Sequence, residues 1–221
     1  MKICIVAARG GSKRLPKKNL LLFRGKPMVQ IALETAIASG FFNKVVLSSE
    51  DPEILEVGHN LNSVEVLKRD SDLSGDDVRA DDVIREVAKI LKLRDSDLVC
   101  CLSPTTPLLT AEVFRDALAS YPGNGVTFGV TKSLQTPFRS FMMESNGKLS
   151  SLFPSKLKEQ SNDYPDTFND AGQFYIATKN VWDSNMSITA TPGAIGFELS
   201  YDLSIDVNTQ IDWEMLQRLH P

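Results

Sequence analysis

The sequence predicts an α/β protein whose central sheet is mostly parallel and is covered by helices on both faces. Strand patterns and helix patterns alternate along the 221 residues, which is typical of chains that return through a helix between parallel strands. The apolar runs at 45–47 and 98–102 lack polar alternation, so we expect both faces of these strands to be buried. The chain is long enough for one well-buried core, and we expect a single domain over residues 1–221.

The same patterns define the predicted elements in chain order. The predicted strands are residues 2–8, 44–49, 64–67, 97–102, 125–131, 173–177 and 194–199. The predicted helices are residues 27–39, 52–60, 79–92, 110–120, 178–184 and 209–219. In the first helix Pro27 lies near the first turn, where its missing N–H costs nothing, and Gly40 follows the last turn.

Residues 134–170 interrupt this alternation. The segment is richer in Pro, Ser, Asn and Lys, and it carries apolar side chains that we expect to be exposed: Phe138, Phe141, Met142, Met143 and Phe153. An irregular loop of this length is unusual within a compact domain. We therefore interpret it as an inserted arm that forms a lid, an interface or both, with a partly ordered surface loop as the alternative.

The composition argues against several classes of function. The net charge of −4 argues against general nucleic-acid binding but allows a local basic pocket for a small anion. No run of 18 apolar residues exists, so we expect no membrane segment and a cytoplasmic location. We expect Cys4, Cys100 and Cys101 to be reduced and buried, because they lie in apolar runs. His59 and His220 lie near no motif, which argues against a histidine-based zinc site or a Ser-His triad.

A cationic loop follows the first predicted strand. Five of the eleven residues in 9–19 are Lys or Arg, and two are adjacent glycines. Glycines let backbone N–H groups approach phosphate oxygens, and cations neutralise the charge on them. The loop matches neither GxxxxGK[ST] nor GxGxxG. We interpret it as a polyphosphate site of another type, and a solvated basic turn is the alternative.

Further polar residues follow the third and fourth strands, where a parallel sheet opens its ligand crevice. Arg69 follows the strand at 64–67. Ser74 and Asp76 lie in the acidic turn after it and either hold a base or ribose or cap the helix at 79–92. Residues 103–107, Ser-Pro-Thr-Thr-Pro, offer hydroxyl groups on a rigid backbone after the fourth strand, or form only a rigid turn.

Several blocks together resemble one family. Residues 8–19 look like the signature loop of the CMP-sialic acid synthetases, the acylneuraminate cytidylyltransferases. The other matching blocks, in order, are residues 25–27, 46–51, 67–69, 103–108 and 204–209. The resemblance implies a Rossmann-like fold of the nucleotide-diphospho-sugar transferase type, CTP as a substrate, and an arm at 134–170 that extends across a homodimer partner.

The resemblance also implies roles for individual residues. The implied catalytic residues are Arg9, Lys13, Lys18 and Asp206. The implied nucleotide-binding residues are Ala8, Arg9, Gly10, Ser12, Asn19, Arg69 and Ser74, with Arg69 on the cytosine. The implied substrate-binding residues are Ser103, Arg139, Asp170, Gln173 and Tyr175, with Arg139 on the sugar carboxylate. Arg14 and Lys17 are expected to be solvated.

Three departures from the family pattern bear on the substrate and the metal. Relatives carry Gln where this chain has Ser103, and residues 170–175, Asp-Ala-Gly-Gln-Phe-Tyr, resemble the pseudaminic acid branch instead. Relatives read Asp-x-Asp-Thr where this chain has Asp206 and Asn208, so a Mg²⁺ or Mn²⁺ ion would lose one carboxylate ligand. The expected activity is CMP transfer from CTP to a nine-carbon 2-keto sugar acid. We expect pseudaminic acid as the acceptor, with N-acetylneuraminate, legionaminate or Kdo as the alternatives. A non-catalytic nucleotide-binding homologue is the rival interpretation.

Overall fold

The computed structural model describes residues 1–75, 77–184 and 186–220. The strands are β1 Lys2–Ala7, β2 Leu22–Phe23, β3 Lys26–Pro27, β4 Lys44–Ser49, β5 Val64–Lys68, β6 Leu98–Leu102, β7 Val126–Lys132, β8 Phe141–Met143, β9 Leu149–Ser151, β10 Phe168–Thr178 and β11 Ile195–Glu198. The helices are α1 Met28–Ala38, α2 Pro52–His59, α3 Ala80–Ile90, α4 Ala111–Ala119, α5 Lys179–Trp182 and α6 Gln210–Leu219.

Seven strands form the central sheet, in the order β11-β7-β10-β6-β1-β4-β5. Neighbouring strands run parallel except that β10 is antiparallel to both β6 and β7. The prediction of a mostly parallel sheet is therefore confirmed. The carboxyl ends of β1, β4, β5 and β6 lie at one edge of the sheet, because these four strands are parallel, and the loops that follow them meet there.

Helices cover both faces of the sheet, as predicted. Alternate residues of β1 point to opposite sides, since Cys4 packs with Leu33 of α1 and Phe114 of α4, whereas Ile5 packs with Ile84 of α3. All five side chains are fully buried. Each such burial stabilises the fold by about 1.5–3 kcal/mol. The three cysteines are buried and unpaired, which confirms their predicted packing role.

Local chemistry sets the ends of the main helices. Helix α1 begins one residue after Pro27, which pairs in the β2–β3 hairpin, and Gly40 follows the helix with φ 65°. Thr209 and Asp212 form a reciprocal capping box at the start of α6. The predicted helix at 178–184 is wrong in length, because the structure forms only the single turn of α5. No helix in the described residues is long and apolar enough to cross a membrane.

The arm at 134–170 contains regular structure rather than a plain loop. Strands β8 and β9 form a hairpin, and the ring of Phe138 packs against those of Phe153 and Tyr164. Met143 and Leu149 of the hairpin keep 73% and 57% of their surface exposed. The predicted start of the strand at 173–177 is wrong, because β10 already begins at Phe168, five residues earlier.

Candidate active site

A cleft of about 210 Å³ lies where the carboxyl ends of β1, β5 and β6 meet. It is lined by Ala7, Arg9, Lys18, Asn19, Arg69, Leu73, Gly75, Val78, Ala80, Val83, Ser103, Pro104, Thr105, Asp206 and Asn208. Seven of the residues that the sequence singled out therefore share one cavity. Its walls are polar and mixed in charge, as a site for a charged small molecule requires.

Within the cationic loop, Lys18 and Asn19 line the cleft and Lys17 does not. The Asn19 amide donates to the carbonyl oxygen of Arg9 at 2.8 Å. Its Oδ1 is buried and has no hydrogen-bond partner among the described residues. A buried acceptor without a donor is costly, so this oxygen is available to a hydroxyl or amino group of a ligand. Lys17 lies on the outer side, where it pairs with Glu53.

Other residues of the loop lie behind the cleft or outside it. Ala8 is buried and its N–H donates to the carbonyl of Ser48 at 3.0 Å. The side chain and the N–H of Ala8 are therefore engaged within the fold, and its predicted contact with the nucleotide remains a prediction. Gly10, Ser12 and Lys13 are not among the residues that line this cleft, so their predicted contacts remain predictions.

Arg69 enters the cleft wall as part of a buried ion pair. Its Nη2 donates to Oε2 of Glu50 at 2.7 Å, and its Nε donates to Oγ of Ser74 at 3.2 Å. The second oxygen of Glu50, Oε1, accepts the backbone N–H of Gly10 at 2.7 Å. Burial favours the neutral form of Glu50, but the hydrogen bonds from Arg69 and Gly10 outweigh burial and lower its pKa.

The sequence prediction did not include Glu50. The available signal was its position directly after β4, at the same edge of the sheet as Arg69. The hydroxyl of Ser74 donates to the Asp70 carbonyl at 3.2 Å and so does not cap α3. The capping interpretation of Ser74 is therefore wrong. Asp76 lies outside the described residues.

A continuous chain of hydrogen bonds crosses the opposite wall. The Lys18 ammonium donates to Oδ1 of Asn208 at 2.8 Å, and the Asn208 amide donates to Oδ2 of Asp206 at 2.6 Å. Thr105 donates its hydroxyl to Oδ1 of Asp206 at 2.6 Å, and Ser103 lies 3.0 Å from that hydroxyl. Thr105 is a second residue that the sequence prediction missed, although its block was noted.

Desolvation perturbs both charged groups in this chain. Burial lowers the pKa of Lys18, and the charge of Asp206 opposes that effect. Burial raises the pKa of Asp206, whereas hydrogen bonds from Thr105 and Asn208 and the charge of Lys18 oppose the rise. Two interacting groups with shifted pKa values in one cleft are typical of an active site, because partial exclusion of water strengthens the electrostatic interaction between their charges.

The donor atoms on this wall are compatible with a weakly held hard cation. Asp206 supplies carboxylate oxygens and Asn208 an amide oxygen, and both side chains line the cleft. Among the described residues, no group of three or more His, Cys, Asp or Glu side chains could enclose a metal. Mg²⁺ commonly takes only one or two protein oxygens and completes its shell with water and substrate phosphates. The pair therefore fits a magnesium ion that arrives with a polyphosphate.

A second cavity, of about 390 Å³, lies on the other side of the same wall. It is lined by Thr131, Asp170, Ala171, Gly172, Tyr201, Ser204, Ile205, Asp206, Asn208, Asp212 and Met215. Asp206 and Asn208 belong to both cavities. Two reactants that occupy the two cavities would thus meet at this shared wall.

The block at 170–175 forms part of the second cavity through a bulge in β10. Asp170 accepts the Gly172 N–H at 2.9 Å and the Tyr175 hydroxyl at 2.8 Å. Burial, and then the charge of Asp170, raises the pKa of Tyr175. Gly172 has φ 65°, and a Cβ at this position would lie 2.9 Å from Oδ2 of Asp206. The bulge therefore needs glycine both for its backbone angle and for its contact with Asp206.

Three predicted substrate contacts are not brought to either cavity. Gln173 is fully buried and donates its amide to the Leu203 carbonyl at 2.7 Å, so it supports a loop. Tyr175 does not line either cavity, and it donates its hydroxyl to Asp170, which lines the second one. Arg139 lies in the arm, where it donates to the Glu159 carbonyl at 3.3 Å. None of the three lines either cavity in this subunit, and their predicted contacts with a substrate remain predictions.

A family model identifies the family to which this site belongs. Residues 3–177, more than half of the chain, match the model described as cytidylyltransferase. The chain belongs to the cytidylyltransferase family. The resemblance inferred from residues 8–19 is thereby confirmed, and the chain is an enzyme of the nucleotidyltransferase class.

Individual cytidylyltransferases match over almost the whole chain. The chain is 33% identical to the pseudaminic acid cytidylyltransferase of Campylobacter jejuni, over 99% of this chain and 95% of that protein. It is 30% identical to the CMP-N,N'-diacetyllegionaminic acid synthase of Legionella pneumophila, over 98% and 95%. A solved CMP:2-keto-3-deoxy-manno-octonic acid synthetase complexed with CTP has a TM-score of 0.70 at 16% identity, over 99% of this chain and 97% of that chain. The structural match confirms the fold class.

Proposed function

We propose that this cytidylyltransferase joins CMP from CTP to the anomeric hydroxyl of pseudaminic acid and releases pyrophosphate. The observation that carries the proposal is the cleft in which Lys18, Asp206 and Asn208 form one hydrogen-bonded chain beside the cationic loop. The similarity to the C. jejuni enzyme over 99% of the chain supports the choice of acceptor. The Asp-Ala-Gly-Gln-Phe-Tyr block at 170–175, which borders the second cavity, supports it as well.

In the proposed reaction, the anomeric oxygen of the sugar acid forms a bond to the α-phosphorus of CTP. The bond from that phosphorus to the oxygen bridging to the β-phosphate breaks, the electron pair leaves with pyrophosphate, and the hydroxyl proton passes to solvent. We assign the triphosphate to the cleft that holds Arg9 and Lys18, with Lys13 on the outer phosphates. Cations there stabilise the charge that develops on the leaving group.

We assign the base to Arg69 and Ser74 and the ribose to Asn19, with Gly10 and Ser12 beside the phosphates. The unpartnered Oδ1 of Asn19 supports the ribose assignment, because it accepts a hydroxyl hydrogen without displacing another bond. The sugar acid is assigned to the second cavity, beside Asp170, and to the part of the first cleft that Ser103 lines next to the shared residues Asp206 and Asn208. Its carboxylate needs a cation, for which we propose Arg139 of the arm.

The position of Arg139 in the arm supports a homodimer. In one subunit Arg139 lines neither of the two cavities, whereas the hairpin beside it exposes apolar side chains. We propose that two copies pair through residues 134–170, which would cover these side chains and carry Arg139 toward a site.

We propose Mg²⁺, or Mn²⁺ in its place, as the cofactor, held by Asp206 and Asn208. When bound, the ion supplies positive charge to the phosphate oxygens and lowers the pKa of a coordinated hydroxyl. Thr105 and Lys18 orient the two protein ligands through the hydrogen bonds described above.

Pyrophosphate release tests the function directly. The purified protein is incubated with CTP, Mg²⁺ and one sugar acid at a time, and the CMP-sugar is identified by mass spectrometry. We expect the highest kcat/KM with pseudaminic acid. A preference for legionaminate, N-acetylneuraminate or Kdo would overturn the acceptor assignment and leave cytidylyl transfer intact. CTP binding without turnover on any of the four acids would favour a non-catalytic homologue.

A further inference from the structure

One carboxylate joins two separate parts of the cleft. Glu50 accepts the backbone N–H of Gly10, in the cationic loop, at 2.7 Å with Oε1. With Oε2 it accepts the guanidinium of Arg69, after β5, at 2.7 Å. The loop and the residue after β5 are 59 positions apart in the chain, yet both depend on the same side chain for their orientation.

The backbone around Glu50 leaves little freedom for this bridge. Asp51 caps the start of α2, and its N–H donates to the buried Ser49 hydroxyl at 3.1 Å. The Arg69 N–H donates to the Ser49 carbonyl at 2.8 Å. A Cβ on Gly10 would lie 2.1 Å from Oδ2 of Asp51, so the loop runs directly against the same turn. The turn therefore holds the Glu50 carboxylate at a defined place between its two partners.

The Arg69 guanidinium depends on Glu50 because it is buried. The Arg69 side chain is 5% exposed and that of Glu50 is 23% exposed. A charge this far from water needs a charged partner, and its loss leaves the remaining charge uncompensated. Among the described residues, Nη1 of Arg69 has no hydrogen-bond partner, and Arg69 lines the cleft.

We propose that Glu50 is a positioning residue that makes the cleft selective for cytosine by fixing the Arg69 guanidinium relative to the phosphate loop. This inference rests on the proposed function, in which Arg69 meets the base. A guanidinium only donates hydrogen bonds. Cytosine presents acceptors at O2 and N3, whereas uracil presents a donor at N3, so a rigidly held guanidinium favours CTP over UTP and a loose one discriminates less.

The test compares the wild type with Glu50→Gln, Glu50→Ala, Arg69→Ala and the double variant Glu50→Ala/Arg69→Ala. For each protein, calorimetry measures the affinity for CTP and for UTP, and pyrophosphate release measures turnover. Gln keeps an acceptor for Gly10 but removes the charge that holds Arg69. We expect Glu50→Ala to weaken CTP binding by about tenfold, the size of one charge-assisted hydrogen bond, and UTP binding less. We expect Glu50→Gln to keep part of the preference for CTP over UTP that the wild type shows. Glu53→Gln is the matched control, because Glu53 is the exposed second residue of α2, three positions after Glu50, and it should change neither affinity.

The double variant separates positioning from a general structural role. If Glu50 acts through Arg69, Glu50→Ala adds little once Arg69 is absent, because the two effects are coupled. Additive losses, or an equal loss for CTP and UTP, would overturn the inference while turnover of the wild type still supports the proposed function. If Glu50→Ala does not fold by circular dichroism, the same comparison is made with Glu50→Gln. Wild-type protein that binds CTP without turnover contradicts the proposed function alone, and failure to bind CTP contradicts both.

Discussion

At the scale of residues, the neighbours Lys17 and Lys18 have different environments. Lys17 has φ 51° and an exposed side chain paired with Glu53. Lys18 lines the cleft and donates to Asn208. A surface pair contributes little, whereas a partly desolvated cation beside phosphates stabilises charge strongly.

We therefore predict that Lys18→Ala lowers kcat/KM for CTP by about 100-fold, since a preorganised charge is removed from the site. Lys17→Ala, the matched control, should change it by less than about twofold. Pyrophosphate-release kinetics at saturating sugar acid provide the measurement. Similar losses in the two variants would contradict the division of the loop that the structure indicates.

Asn208 is the second residue for which a single substitution gives a specific prediction. Its neutral amide donates to Oδ2 of Asp206 at 2.6 Å, so the proposed metal site holds a single carboxylate between these two residues. We predict that Asn208→Asp lowers the Mg²⁺ concentration for half-maximal activity by roughly tenfold, because it adds a charged oxygen ligand for a hard cation. Without the ion, the same variant should unfold more easily by about 1 kcal/mol, because its hydrogen bond to Asp206 becomes a like-charge contact that the new ion pair with Lys18 only partly offsets.

Thermal unfolding with EDTA and with Mg²⁺ checks the second half of this prediction, and a Mg²⁺ titration of activity checks the first. Asp206→Ala is the companion variant and should abolish turnover while the circular dichroism spectrum is unchanged. Near-normal activity of Asp206→Ala would mean that the ion is held elsewhere. If only Asn208→Asp is active, the wild-type chain is a catalytically impaired homologue.

At the scale of elements, the bulge in β10 links the acceptor cavity to the metal wall. Gly172 and Gly40 both have φ 65°, but only at Gly172 would a Cβ approach another residue, Asp206. We predict that Gly172→Ala lowers the free energy of unfolding by about 1 kcal/mol more than Gly40→Ala does. Both substitutions strain the backbone at a positive φ, but only the one at Gly172 also brings a Cβ too close to Asp206.

The two glycine substitutions should also differ in their effect on turnover. Gly172→Ala should lower kcat because it displaces the Asp206 carboxylate, and Gly40→Ala should leave kcat unchanged because it lies at the end of α1. Chemical denaturation and steady-state kinetics of the two variants are the measurements. Equal effects on both quantities would show that the contact with Asp206 has no consequence.

At the scale of the whole molecule, the exposed hairpin of the arm determines the expected assembly. Met143 and Leu149 are 73% and 57% exposed and lie opposite each other in β8 and β9. Apolar surface of this kind is usually covered by a partner. We predict that the wild type is a homodimer in light scattering at micromolar concentration and that Met143→Glu/Leu149→Glu is a monomer.

Ile90→Glu is the control for this prediction, because Ile90 is 51% exposed on α3, away from the arm. It should remain dimeric. If the wild type is already a monomer at these concentrations, the proposed pairing through residues 134–170 is contradicted, and the carboxylate of the sugar acid must be bound by a cation other than Arg139.

The sequence by itself determined the fold class and the edge of the sheet that carries the site. Strand and helix periodicity, and the placement of Arg69 and Ser103 directly after strands, are local properties of the chain, so local reasoning found them. The family resemblance followed from blocks such as residues 8–19, in which glycines and cations lie at fixed spacing. The borders of β10 and α5 were missed, because pairing with neighbouring strands and packing set them.

Only the tertiary structure decided which side chains meet. Glu50 and Arg69 meet because the parallel strands β4 and β5 bring their carboxyl ends to one edge. Thr105 and Asp206 meet because the loop before α6 bonds to the segment after β6, where the Val207 N–H donates to the Thr105 carbonyl at 3.0 Å. Tertiary packing also removed Gln173 from the site by burying it in the sheet. Periodicity predicts the face on which a residue lies, whereas the partner across a cleft depends on strand order and register, which arise from contacts between distant segments.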